Sequence, residues 1–150
     1  MTNTMQQPPH SGAIRSPGPL GSATLSFDLT AEIKGLREEN AWQGGRNSKT
    51  LVKNEDFRIV LIVLQSDALV HEHKATGRIS VQALSGHIQM HVHDKVFDLP
   101  AGHLLALDRV LPHDVKALED SAFLLTIAWP EEGKRHLNEY SAANPAFHEG

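Results

Sequence analysis

Three histidines carry the spacing from which chemistry can be built: His71 and His73, one residue apart, and His113, much further along the chain. Side chains on an extended strand alternate with period two, so on a regular strand His71 and His73 face the same way and can reach one metal ion. A third imidazole, His113, brought back from a distant strand, completes a facial set whose remaining positions stay open to water and a substrate. Such nitrogen ligands suit Zn, Fe, Ni or Cu and serve Mg or Ca poorly. The chain has no cysteine, so disulfides, thiolate catalysis and zinc–sulfur sites are excluded, and any metal must rest on nitrogen and oxygen donors.

Positioning these histidines is a task for strands. Residues 1–23 are rich in Pro, Gly, Ser and Gln and carry too little apolar surface to offset ordering, so they read as a disordered arm. Within 24–49, Leu29, Ile33 and Leu36 fall at helical spacing with Asp28 or Thr30 as N-cap. This predicts one short amphipathic helix, weakened by Gly35 and ended before Gly44-Gly45, that covers an open face or end of a sheet or contributes to a dimer. Strand signals occupy 50–130, over 50–53, 57–65, 69–73, 78–84, 87–93, 95–99, 103–107, 113–117 and 122–129. The run at 57–65 is apolar on both faces, as a central strand buried on each side must be. Many short strands with regular turns and one helix predict an all-β antiparallel sandwich or jelly roll. Residues 131–150 form a mostly polar tail in which Leu137, Tyr140 and Phe147 are available to dock a last turn.

The histidine segments resemble the two motifs of the cupin family. His71 and His73 match the first motif's His-x-His pair, and Gly86 matches its closing glycine. The motif's acidic ligand is missing: its slot falls on Gly77, Arg78 or Ile79, and none of these can ligate a cation. The second motif keeps its spacing, with Gly102, Asp108, Val110, His113 and Ala117 at the positions of the family's Gly, Pro, Gly, His and Asn, but only Gly102 and His113 keep their identity. The resemblance covers about residues 57 to 129. It implies a cupin double-stranded β-helix, a jelly-roll barrel of the small RmlC-like, cupin-2 kind, with one short N-terminal helix and a homodimeric assembly.

Two functional readings stand side by side. In the first, His71, His73 and His113 hold one divalent transition metal (Fe, Zn, Ni, Cu or Mn) in a metal-dependent enzyme of dioxygenase or isomerase type, acting on a small-molecule substrate. In the second, the metal site is vestigial and the barrel is a non-catalytic small-molecule-binding or sensing module; the empty acidic slot and the lack of another general base inside the motif pull toward it. In either case the pocket draws on Ile79, Val81, Leu105 and Leu107, with Arg78 and Gln82 as polar handles. Arg78 either clamps a substrate carboxylate or lies outward on its strand; the register from Gly86, which turns Ile79 inward, favours outward. His87, His91 and His93 share a face with Gln89 opposite Ile88, Met90 and Val92, so they are expected to face out, the competing reading being a second metal site or a pH-sensitive interface. His103 is expected at the surface, and only a bulge would turn Glu72 inward as a fourth ligand.

A net charge of −4 with no Lys/Arg cluster leaves no electrostatic footprint for nucleic acid or an anionic membrane. No segment has the apolar core of a signal peptide or the length of a membrane span, so the expected setting is cytoplasmic. Hydrolase triads, glycine-rich phosphate loops and aromatic stacking platforms are not found.

Overall fold

The computed structural model describes residues 23–73 and 76–130, apart from the side chains of Glu72 and His73. The expected N-terminal arm, all but its last residue, and the C-terminal tail with Leu137, Tyr140 and Phe147 lie outside the described residues. Among the described residues the order is one α-helix, α1 (Leu29–Arg37), a 3-10 turn (Asn40–Gly44), and nine strands: β1 (Arg46–Lys53), β2 (Phe57–Leu64), β3 (Leu69–His73), β4 (Arg78–Ser85), β5 (His87–Val92), β6 (Lys95–Pro100), β7 (Leu104–Leu107), β8 (His113–Ala117) and β9 (Ser121–Ala128). Every pairing is antiparallel. The strands form a five-stranded sheet, β1-β2-β9-β4-β7, and a four-stranded sheet, β3-β8-β5-β6. This is the all-β double-stranded β-helix with one short helix. Among the described residues no helix is long and apolar enough to cross a membrane.

The core between the sheets follows from strand alternation. Val60, Ile62 and Leu64 of β2, Val81 of β4 and Leu125 of β9 share it with Ile88 and Met90 of β5 and Val115 of β8. The other face of β2 is also buried: Leu61 and Val63 join Leu51, Ala122 and Leu36 in a second cluster under α1. The continuous apolar run of β2 is thus explained, since one face fills the sandwich and the other carries the helix. Asp28 caps α1 by accepting a bond from the Ala31 N–H at 3.1 Å.

β1 begins earlier than its apolar residues announce. Its first half, Arg46-Asn47-Ser48-Lys49, pairs with Leu64 to Leu61 of β2 at the sheet edge. These side chains bind the helix layer rather than burying apolar area: Asn47 donates to the Leu36 carbonyl at 3.0 Å, and Lys49 meets Glu32 at 2.8 Å. A polar edge strand has no hydrophobic period to read.

The turns explain which motif residues are retained. Gly86 has φ +78° and lies so close to the Asp120 carbonyl and the Ser121 hydroxyl that no Cβ fits, and Gly102 has φ +94°. Val110 adopts φ +63° with no glycine to ease it, at the position where the resembling motif has one.

Two stability outcomes follow. Leu36→Ala, which uncovers the outer cluster, is expected to cost about 2–4 kcal/mol in urea unfolding. Val110→Gly is expected to raise stability by about 1 kcal/mol, because a left-handed conformation costs an L-residue roughly that much. A neutral or destabilising result would show that Val110 is not strained.

Candidate functional site

One end of the sandwich gathers two of the three buried polar side chains among the described residues, Arg58 and His113. The connections from β3 to β4 and from β7 to β8 are short and cross between the sheets there, so the end of β3 and the start of β8 lie over the starts of β2 and β4. His113 opens β8, with its Cα paired to Val92 on one side and to His73 on the other. It is 3% exposed. Its Nδ1 lies 2.8 Å from the Leu111 carbonyl oxygen. A carbonyl only accepts, so Nδ1 carries the proton, and in the neutral ring Nε2 is the lone-pair nitrogen. This is the tautomer of a histidine that ligates or accepts through Nε2.

β3 departs from regular alternation at the point that matters most. Val70 pairs with Val115 and His73 with His113, so His71 and Glu72 together stand opposite the single residue Asp114. This is a β-bulge, and it shifts the parity of every residue beyond it. His71 is exposed, whereas the backbone of His73 falls in the same cross-strand row as buried His113 and Val92. The segment is therefore not the regular strand on which the pairing of His71 and His73 depends. The side chains of His73 and Glu72 lie outside the described residues. Among the described residues, no group of three or more His, Asp or Glu side chains is placed to hold a metal ion. The described donors supply one interior imidazole and do not by themselves make a three-histidine centre.

The remaining expected residues divide by strand parity. Ile79, Val81 and Leu107 are buried in the interior core, with Leu105 packed against it. Arg78 lies outward, its Nε 3.1 Å from an Asp108 carboxyl oxygen. Gln82 is exposed, which corrects its assignment as a polar handle of the pocket. The Asp108 carboxyl is held below the ordinary aspartate range by the Arg109 backbone N–H and then by the Arg78 charge.

Two interior residues escaped the sequence reading. Arg58, 6% exposed, follows the parity of Val60, Ile62 and Leu64 and so occupies the inner face of β2. It pairs with Ile127, which pairs in turn with Ile79, and Ile79 with Leu107, so Arg58 lies in the last inward-facing row of the five-stranded sheet, next to the end row of Phe57, Ala128 and Arg78. Its guanidinium stands over the Trp129 ring, 5.3 Å from the centroid. Trp129 is fixed by its indole N–H to Thr76 Oγ1 at 2.8 Å and by its backbone N–H to the Asp56 carbonyl at 3.0 Å. The signal was present in the sequence: counting back by two from Leu64 arrives at Arg58.

The histidines of β5 face out. Ile88, Met90 and Val92 are buried, while His87 meets Asp98 at 3.2 Å and His91 meets Asp114 at 2.8 Å. Bonds from Gln89 and then His87 hold the Asp98 carboxyl below its usual range. His93 is exposed in the tight turn to β6, and His103 is exposed as expected.

No family model matches the sequence, and no curated protein matches it. Solved structures do. The conserved SPY1581 protein of unknown function from Streptococcus pyogenes superposes with a TM-score of 0.63 at 25% identity, covering 80% of this chain and 99% of that one. A cupin superfamily protein from Desulfitobacterium hafniense gives 0.55 at 18% identity over 57% of this chain and 78% of its own. An RmlC-like cupin from Desulfovibrio desulfuricans gives 0.53 at 22% identity over 77% and 97%. The two antiparallel sheets agree with these neighbours, and the chain has the fold of a small RmlC-like cupin domain.

Proposed function

We propose that this protein is a non-catalytic small-molecule-binding or sensing cupin whose ligand sits at the His113 end of the sandwich. The observation that carries the reading is His113 itself, a buried imidazole among mostly apolar core residues, with its Nδ1 proton committed to the Leu111 carbonyl. A ring fixed in this way presents Nε2 as acceptor or ligand at a defined place, which is how a mostly apolar pocket obtains orientation from few polar groups. The positions of the family's acidic ligand support binding over catalysis. A side chain at Gly77 would run into the Ala128 carbonyl, Arg78 points outward and Ile79 is in the core, so none of them is a general base. A homodimer in the cytoplasm, implied by resemblance and by the sequence, is part of the same reading.

A second reading keeps the transition metal at His71, His73 and His113, as Fe, Zn, Ni, Cu or Mn. It is supported by the Nε2-ligating tautomer of His113 and by the shared row of His73 and His113. It requires His71 to cross the bulge.

The test is a thermal-shift screen of a small-metabolite library on the full untagged chain and on His113→Leu. Compounds that raise the melting temperature of the parent are expected to bind the variant about tenfold more weakly or worse, the loss of one buried polar contact. Equal affinity for both proteins would place the ligand elsewhere. Elemental mass spectrometry on the same untagged protein decides the second reading: about one equivalent of a single transition metal, lost in both His71→Ala and His113→Ala, would replace the first reading with it.

A further inference from the structure

Arg58 breaks the apolar pattern of the interior face of β2. Its neighbours on that face, Val60, Ile62 and Leu64, are core residues, and leucine or valine at position 58 would satisfy the same alternation. Instead the fold carries there a permanently charged guanidinium at 6% exposure. Removing such a charge from water is costly unless it is compensated or used. The Trp129 face answers part of the demand, and Arg58 has a further interaction within the chain. A guanidinium has five N–H donors in a planar fork, and that fork is the group a ligand anion would meet.

Its place in the fold joins Arg58 to the binding reading. The last inward-facing row of the five-stranded sheet holds Arg58 and Ile79, and the short crossings from β3 to β4 and from β7 to β8 bring His113 over the same end. Among the described residues the buried polar side chains are Arg58, His113 and Ser121, so the interior has a fixed cation and no buried carboxylate. Ser121 bonds at the opposite end, to His87 and Glu119.

Resting on the small-molecule reading above, we infer that the ligand is a small organic acid whose carboxylate is taken by Arg58 and whose apolar part lies against Trp129. The planar fork matches a carboxylate in two parallel bonds. A phosphate dianion fits less well, because no buried lysine or second buried arginine stands among the described residues to balance its other charge. His113 supplies the second polar point, which orients the acid.

The experiment uses matched acid and amide pairs, benzoate with benzamide, hexanoate with hexanamide and succinate with succinamide, at constant pH and ionic strength. Binding to the full chain is read by thermal shift and by tryptophan fluorescence, since Trp129 lies beside the guanidinium. In at least one pair the acid is expected to bind about tenfold or more tightly than its amide, the scale of a charge-assisted hydrogen bond. Arg58→Met, shown by circular dichroism to melt cooperatively, is expected to lose that preference. Amides that bind as well as acids, or a preference that survives in Arg58→Met, would overturn the inference and leave the small-molecule reading standing. Failure of every acid, amide and library compound to bind the parent would overturn both. If Arg58→Met does not fold, Arg58→Lys decides: it keeps the charge and loses the fork, so a weaker hold on the acid is expected, and an unchanged one overturns the inference.

Discussion

The two sheets close on each other through one shared apolar core, in which Val60, Ile62 and Leu64 of β2 meet the row of Ile88 and Met90 on β5. Whatever is polar inside must therefore enter at a position whose parity points inward, and at the described positions only Arg58, His113 and Ser121 do so while remaining buried. The same parity sends Arg78, Gln82, His87 and His91 outward, where Arg78, His87 and His91 meet aspartates. The bulge in β3 acts on this constraint directly. By setting two residues against Asp114 it leaves His71 exposed and brings the backbone of His73 level with His113.

Much of the fold was legible because burial writes a period into the sequence. β3 and β8 have the expected limits, β2, β4, β5, β6 and β7 differ from expectation by a residue at one end, and β9 is shifted by a residue at each end. The short helix was readable for the same reason, since Leu36 with Leu29 and Ile33 form one stripe, while the choice of Asp28 over Thr30 as its cap and of a sheet face as what it covers came from the structure. β1 was only half readable. Its polar residues are ordered by bonds to α1 and to the β2 backbone, which leave no mark in hydropathy.

The candidate site was less legible. A bulge is a pairing property of two strands, and nothing in Val70-His71-Glu72-His73 alone shows that Asp114 will face two residues. The sequence instead favoured a regular strand with two histidines on one face. Arg58 was hidden by its surroundings, since a charged residue at the start of an apolar strand reads as a flank until the register of β2 against β9 turns it inward. His113 was legible from its motif, but its tautomer depends on the Leu111 carbonyl two residues before it.

These placements gather at one end of the sandwich, where the proposed ligand sits, an imidazole fixed through Nδ1, a guanidinium stacked on an indole, and the apolar side chains of Ile79 and Leu107. The most direct measurement is a residue-resolved amide NMR titration of the full chain with the tightest compound from a screen. The account expects the shifts to centre on Arg58, Ile79, His113 and Trp129, with the outward row of His87, Gln89 and His91 unmoved. Shifts centred on that outer row or on α1, with the His113 end silent, would contradict it.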